Sequence, residues 1–238
     1  MKRFFQIFML LIIAAGLFVV FHEDITPGVA HNNTLSENHT LLIMAADPSE
    51  SRPGPGACDM AFIVYTTNST ITKTTPLYPG GMAHPTASPP DGAAAQGDTK
   101  LYLHDSLWWN DTNKDAKLAQ EIVEYNTSIK TDGVVIVKTD ALDAIVTAIG
   151  PIYTSSGEKI PDNDVIDFIR QEQDNGMSRG GAVQSVGNAI KNATHDKDKR
   201  HSLIQTITDQ YNKGNIIVVP QSLYDEYLTQ QTLDKMFS

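Results

Sequence analysis

Residues Thr131 to Ile152 read TDGVVIVKTDALDAIVTAIGPI, and this stretch decides the fold. Val134 to Val137 are four consecutive apolar, β-branched residues, the pattern of a strand covered on both faces. A helix follows from Asp140 to Ile149, with Leu142, Ile145, Val146 and Ile149 on one stripe, and Gly150-Pro151 stops it. A doubly covered strand feeding a helix places this chain among α/β proteins.

Working outward, LLIMAAD ending at Asp47 and DMAFIVYT from Asp59 read as further strands, with TITKTTPLY as the hairpin partner of the second. LYLHD (Leu101 to Asp105) reads as a short strand. Asn113 or Thr112 caps a helix whose apolar positions are Leu118, Ile122 and Tyr125. Downstream, helices start near Pro161 to Asp164, run through Val183, Val186 and Ile190, and run through Leu203, Ile204, Ile207 and Tyr211 to a Gly214 cap. Asn215 to Val219 is a last strand and Ser222 to Phe237 a terminal helix. Pro79 to Thr99 carries too many breakers for a regular element and reads as one long loop. Strands alternating with helices predict a mixed, mostly parallel sheet covered by helices, in one domain from 40 to 238.

The N-terminus has a different character. Phe4 to Phe21 is uncharged with Gln6 as its one polar side chain, and at 1.5 Å per residue it spans about 27 Å, near the roughly 30 Å hydrocarbon core. Residues 1–22 therefore read as a cytoplasmic tip and transmembrane anchor rather than a cleaved signal, because no small-x-small site precedes Glu23 and Asp24. Lys2 and Arg3 on the near side put the N-terminus in the cytoplasm and all that follows outside the cell membrane. Residues 23–39 are a polar extracellular tether. Asn32, Asn38, Asn68, Asn110, Asn126 and Asn192 each open an Asn-X-Ser/Thr sequon, which fits an exterior, glycosylated domain. Cys58 stands alone, so packing rather than disulfides holds the core. A net charge of -10 and a pI near 5.0 exclude nucleic acid as a general partner, since phosphate backbones demand a basic face.

Three segments in order carry a family resemblance: ESRPGPGACD (Glu50 to Asp59), LYLHDSLWWND (Leu101 to Asp111) and the opening stretch. The set resembles domain of unknown function 4012, itself similar to the LytR-CpsA-Psr proteins of the cell envelope. That resemblance implies an α/β/α sandwich on one N-terminal helix, handling glycopolymers carried on polyprenyl pyrophosphate. It further implies that Asp47 and Asp59 hold a magnesium ion and that Arg52 and Arg179 contact phosphate. Ala57-Cys58 and Pro79-Gly80-Gly81 stand where the related group carries further arginines. Two readings follow, one in envelope or surface glycopolymer assembly, the other a non-catalytic binding or scaffold protein using Trp108, Trp109 and the 79–99 loop.

The residues taken singly bear on both. Glu50 and Arg52 fit either a turn ion pair or a ligand contact. Asp59 opens a strand, an unusual place for a carboxylate. His84 and His104 beside Asp105 lack zinc-site spacing and read as surface histidines. No G-x-S-x-G elbow or G-x-G-x-x-G fingerprint occurs, so neither serine-hydrolase nor dinucleotide chemistry is indicated.

Overall fold

The structure, a computed structural model, describes residues 38–50, 52–67 and 70–227. The expected anchor Phe4–Phe21, most of the tether, Asn32 and Asn68 lie outside the described residues, as does the terminal helix beyond residue 227. Among the described residues no helix is long and apolar enough to cross a membrane.

Five strands form one sheet. They are β1 (His39–Asp47), β2 (Ala57–Thr67), β3 (Thr70–Leu77), β4 (Gly133–Lys138) and β5 (Ile216–Val219), in the order β3-β2-β1-β4-β5. The sheet is mixed, as expected, but not mostly parallel. Only β1 and β4 run parallel, while β1–β2, β2–β3 and β4–β5 are antiparallel. The reason lies in the connections: no helix separates β1 from β2 or β2 from β3, and a parallel pair needs a crossover that those loops cannot supply.

Among the described residues the helices are α1 (Asp91–Ala94), α2 (Thr112–Thr127), α3 (Thr139–Ile149), α4 (Val165–Asp174), α5 (Arg179–Ala193), α6 (Lys197–Asn212) and α7 (Gln221–Tyr227). Leu41, Ile43, Phe62, Val64, Val135 and Val137 pack against the layer built from α3 to α7. Their neighbours Leu42, Met44, Ala46, Ala61, Ile63, Val134 and Ile136 face the other way, onto α2 and the leucines Leu101, Leu103 and Leu107. The period-two alternation with both faces buried makes this a three-layer sandwich.

Three local expectations change. LYLHD is not a strand: Tyr102 makes a single bridge to Ala83, and Leu103–Asp105 is a 3-10 turn, closed by Ser106 Oγ donating to the Leu103 carbonyl at 2.8 Å. The 79–99 segment contains a 3-10 turn at Pro79–Gly81 and the single turn of α1, which starts after Pro90. Helix α2 is capped by Asp111, whose carboxylate accepts from the Lys114 N–H at 3.1 Å, and it buries Ala116, Ala119, Ile122 and Val123. Tyr125 points outward, 65% exposed. The small alanines let α2 lie close on the sheet, a packing that an apolar pattern read only from large residues misses.

Candidate functional site

Strand β1 is apolar from Leu41 to Ala46 and ends on Asp47. Asp47 stops it: one carboxylate oxygen accepts from the Ser49 N–H at 2.8 Å, which turns the chain out of the sheet. The chain returns at Gly56, with φ of +131° and no room for a side chain, since a Cβ there would meet the Asp47 carbonyl oxygen at 2.3 Å. Beyond it the β1–β2 register slips, Ala46 pairing with Cys58 but Ala45 with Met60. Asp59 is the extra residue of this β-bulge, which explains a carboxylate inside a strand and turns it toward the strand ends.

Asp47 and Asp59 line one cleft together with Arg170 and Gln173 of α4, over a floor that includes Met60 and Ile169. Arg170 is the residue that sequence reasoning missed. One guanidinium nitrogen donates to Asp47 at 3.2 Å and the other to Asp167 at 2.9 Å, and the side chain is 50% exposed. Burial works to raise the Asp47 carboxyl, but hydrogen bonds from Ser49 and the charge of Arg170 outweigh it and hold the group below the ordinary carboxylate range. Asp167, three residues before Arg170 on a helix, was the available signal for an oriented arginine.

Arg52 is not in this cleft. Its side chain is 6% exposed and pairs with Asp105 at 2.9 Å and with Glu50 at 3.0 Å, while Nη1 donates to the His104 carbonyl at 2.9 Å. The guanidinium also lies 4.9 Å from the Trp108 ring centroid. The phosphate contact expected of Arg52 thus meets a buried guanidinium whose Nη atoms already engage Asp105, Glu50 and the His104 carbonyl, pinning the 103–109 segment to the β1–β2 loop. Arg179 opens α5 behind the Ser178 cap, whose Oγ accepts from the Gly181 N–H at 3.1 Å. The Arg179 side chain lies outside the described residues.

The tryptophans are loop anchors. Trp108 is sandwiched between Arg52 and Gly92, where a Cβ would meet the ring at 2.4 Å, and Lys114 covers Trp109 at 3.8 Å. Neither histidine is a free surface group. His84 is 9% exposed and holds Glu121 at 3.1 Å, with its other ring nitrogen accepting from the Thr86 and Ala87 N–H groups. His104 sits 3.3 Å from Asp105 on one ring nitrogen, with Glu50 at 3.7 Å and Asp59 at 4.0 Å from the other. A hydrogen bond to Asp105 raises its pKa above the usual value, against burial and Arg52. Cys58 is buried and its thiol is pushed up by burial, so it is unreactive. Of the sequons, Asn38, Asn110, Asn126 and Asn192 are exposed.

The family described as "Protein of unknown function (DUF4012)" matches residues 36–173 of the chain. The fold resembles that of protein gbs0355 from Streptococcus agalactiae, with a TM-score of 0.55 at 14% identity over 84% of this chain and 72% of that one. LytR-CpsA-Psr proteins are among its structural neighbours. TagV of B. subtilis aligns over 81% of this chain and 80% of its own at 13% identity, TM-score 0.48. TagT bound to LI-WTA aligns over 88% and 77% at 11% identity, TM-score 0.39. At such identities the likeness is one of fold alone. No curated protein sequence matches the chain.

Proposed function

From the premise that the chain belongs to the DUF4012 family, we propose that it acts in cell-envelope or surface glycopolymer assembly as a membrane-anchored, exterior domain. Its ligand is a glycan carried on a polyprenyl diphosphate. The observation that carries this reading is the convergence of Asp47, Asp59 and Arg170 on one cleft at the end of β1. The run Phe4–Phe21 behind Lys2 and Arg3 supports the anchor and its orientation, and the sequons support the exterior location.

Two carboxylates beside one guanidinium leave the cleft net negative, so a diphosphate needs a divalent cation there. The cleft's charged oxygens are hard donors and suit magnesium, which typically takes one or two carboxylates and completes its shell with phosphate oxygens and water. Asp47 and Asp59 would hold it, and the ion would neutralise charge on the diphosphate. Arg170, half exposed, is placed to shift from Asp47 to a phosphate oxygen. Arg52 is committed to Asp105, and Ala57 and Cys58 carry no cation. That sparse charge supports recognition of the carrier-linked glycan rather than its transfer.

Calorimetry of the detergent-solubilised full chain with a short-chain polyprenyl diphosphate tests this. Binding should require magnesium, Asp47→Asn should remove the requirement together with most of the binding, and Arg170→Ala should weaken it by about 1.5–3 kcal/mol. Binding indifferent to magnesium and to Arg170 would overturn the reading.

A further inference from the structure

Asp59, which lines the cleft, also belongs to a second cluster. Glu50 from the β1–β2 loop, Asp59 from the β2 bulge and His104 from the 3-10 turn bring one donor atom each within 4.8 Å of one another. Their sequence positions are far apart and their residue types mixed, so the cluster is a product of the fold and not of a local acidic run.

Its donor set, one imidazole and two carboxylates, is that of a site for a transition-metal cation. With metal–ligand bonds of about 2.0–2.2 Å, two donors on one ion stand no more than about 4.2 Å apart. His104 Nε2 lies 3.7 Å from Glu50 Oε1 and 4.0 Å from Asp59 Oδ1, inside that limit, and the two carboxylates, within 4.8 Å of each other, would meet it by a small side-chain rotation. Both separations are longer than a hydrogen bond and within ion-pair reach. The second ring nitrogen faces the buried Asp105 carboxylate at 3.3 Å, with Arg52 Nη2 at 3.4 Å. A proton on Nδ1 directed to Asp105 leaves the Nε2 lone pair aimed at Glu50 and Asp59. That carboxylate–histidine pairing is the usual outer support of a metal-bound imidazole. Arg52 fixes Asp105 in turn at 2.9 Å, so a chain of buried contacts orients the ligand. Glu50 and His104 remain 48% and 34% exposed, which leaves an entry path.

We propose that Glu50, Asp59 and His104 bind a first-row transition-metal ion of the zinc type. An imidazole nitrogen among the donors disfavours magnesium and favours zinc. Three protein ligands leave a coordination position for water or a ligand oxygen. The ion would add positive charge beside the Asp47 cleft, although the site stands on its own geometry and not on the diphosphate reading.

The test is titration of metal-stripped full chain with zinc against a chromophoric chelator, and with cobalt as a spectroscopic probe. One equivalent of zinc should bind, and cobalt should give visible d–d bands of a four- or five-coordinate site. His104→Gln and Glu50→Gln should each weaken zinc by at least about tenfold, whereas His84→Gln, a histidine bonded elsewhere, should not. Thermal melting of metal-free His104→Gln separates lost ligation from lost folding: an unchanged metal-free Tm with lost zinc supports the site. Absence of zinc binding, or binding that survives His104→Gln, overturns it. Because zinc reads His104 and Glu50 while magnesium-dependent diphosphate binding reads Asp47 and Arg170, each claim fails on its own variants.

Discussion

Arg52→Ala separates a structural arginine from a ligand-binding one. The Arg52 and Asp105 side chains are 6% and 5% exposed and meet at 2.9 Å, so truncating the arginine leaves a buried carboxylate with the His104 ring as its neighbour. Removing one partner of a buried pair costs about 3–5 kcal/mol. The contact to Glu50, which is 48% exposed, adds at most about 1 kcal/mol, and the Trp108 stacking a similar amount. At about 2–4 °C per kcal/mol for a domain of this size, the total of about 3–7 kcal/mol should lower Tm by about 6–28 °C, read by calorimetry or tryptophan fluorescence. Arg52→Met combined with Asp105→Leu should recover most of the loss, because an apolar replacement of a buried pair is often near neutral. Arg170→Ala, at a half-exposed site, should change Tm by no more than a few degrees. A shift under about 2 °C for Arg52→Ala, with diphosphate binding lost, would refute the structural role and return Arg52 to the ligand.

Asp115 is fully buried, with one oxygen accepting from the Trp109 N–H at 3.1 Å and the other without a partner, and burial pushes its pKa up to about 7. A raised folded-state value means that its stabilising contribution is complete below the unfolded value of about 4 and is lost as pH rises through about 7. Tm should therefore fall between about pH 4 and pH 7, and Asp115→Asn should flatten that slope; an unchanged slope would reject the assignment. Asn126 Nδ2 donates to the Ala83 and Ile122 carbonyls at 2.9 and 2.7 Å, so peptide mapping of native protein should find it unmodified while sugar appears at Asn38, Asn110 or Asn192. Sugar at Asn126 alone would contradict that order. Protease added to intact cells should digest the domain after Phe21, and protection would place it in the cytoplasm.

The sequence by itself determined the layers. VVIV with the following amphipathic helix read as a strand buried on both sides and LLIMAA before Asp47 as a further strand, and the structure holds β4 and β1 inside the sheet. It also marked Asp47 and Asp59 as carboxylates at strand ends, and the structure brings both to one cleft. Strand direction was not legible, because it depends on which loops cross the sheet, and hydrophobic pattern is the same for parallel and antiparallel partners. The fate of the arginines was decided by tertiary structure alone. Arg52 lies five residues from Asp47 in sequence, yet Asp105, brought in by the segment packed on the far side, claims it. Arg170 is 123 positions from Asp47 and meets it because α4 packs over the end of β1. A guanidinium's role follows from which carboxylate is desolvated beside it, and burial of that kind exists only once the layers have closed.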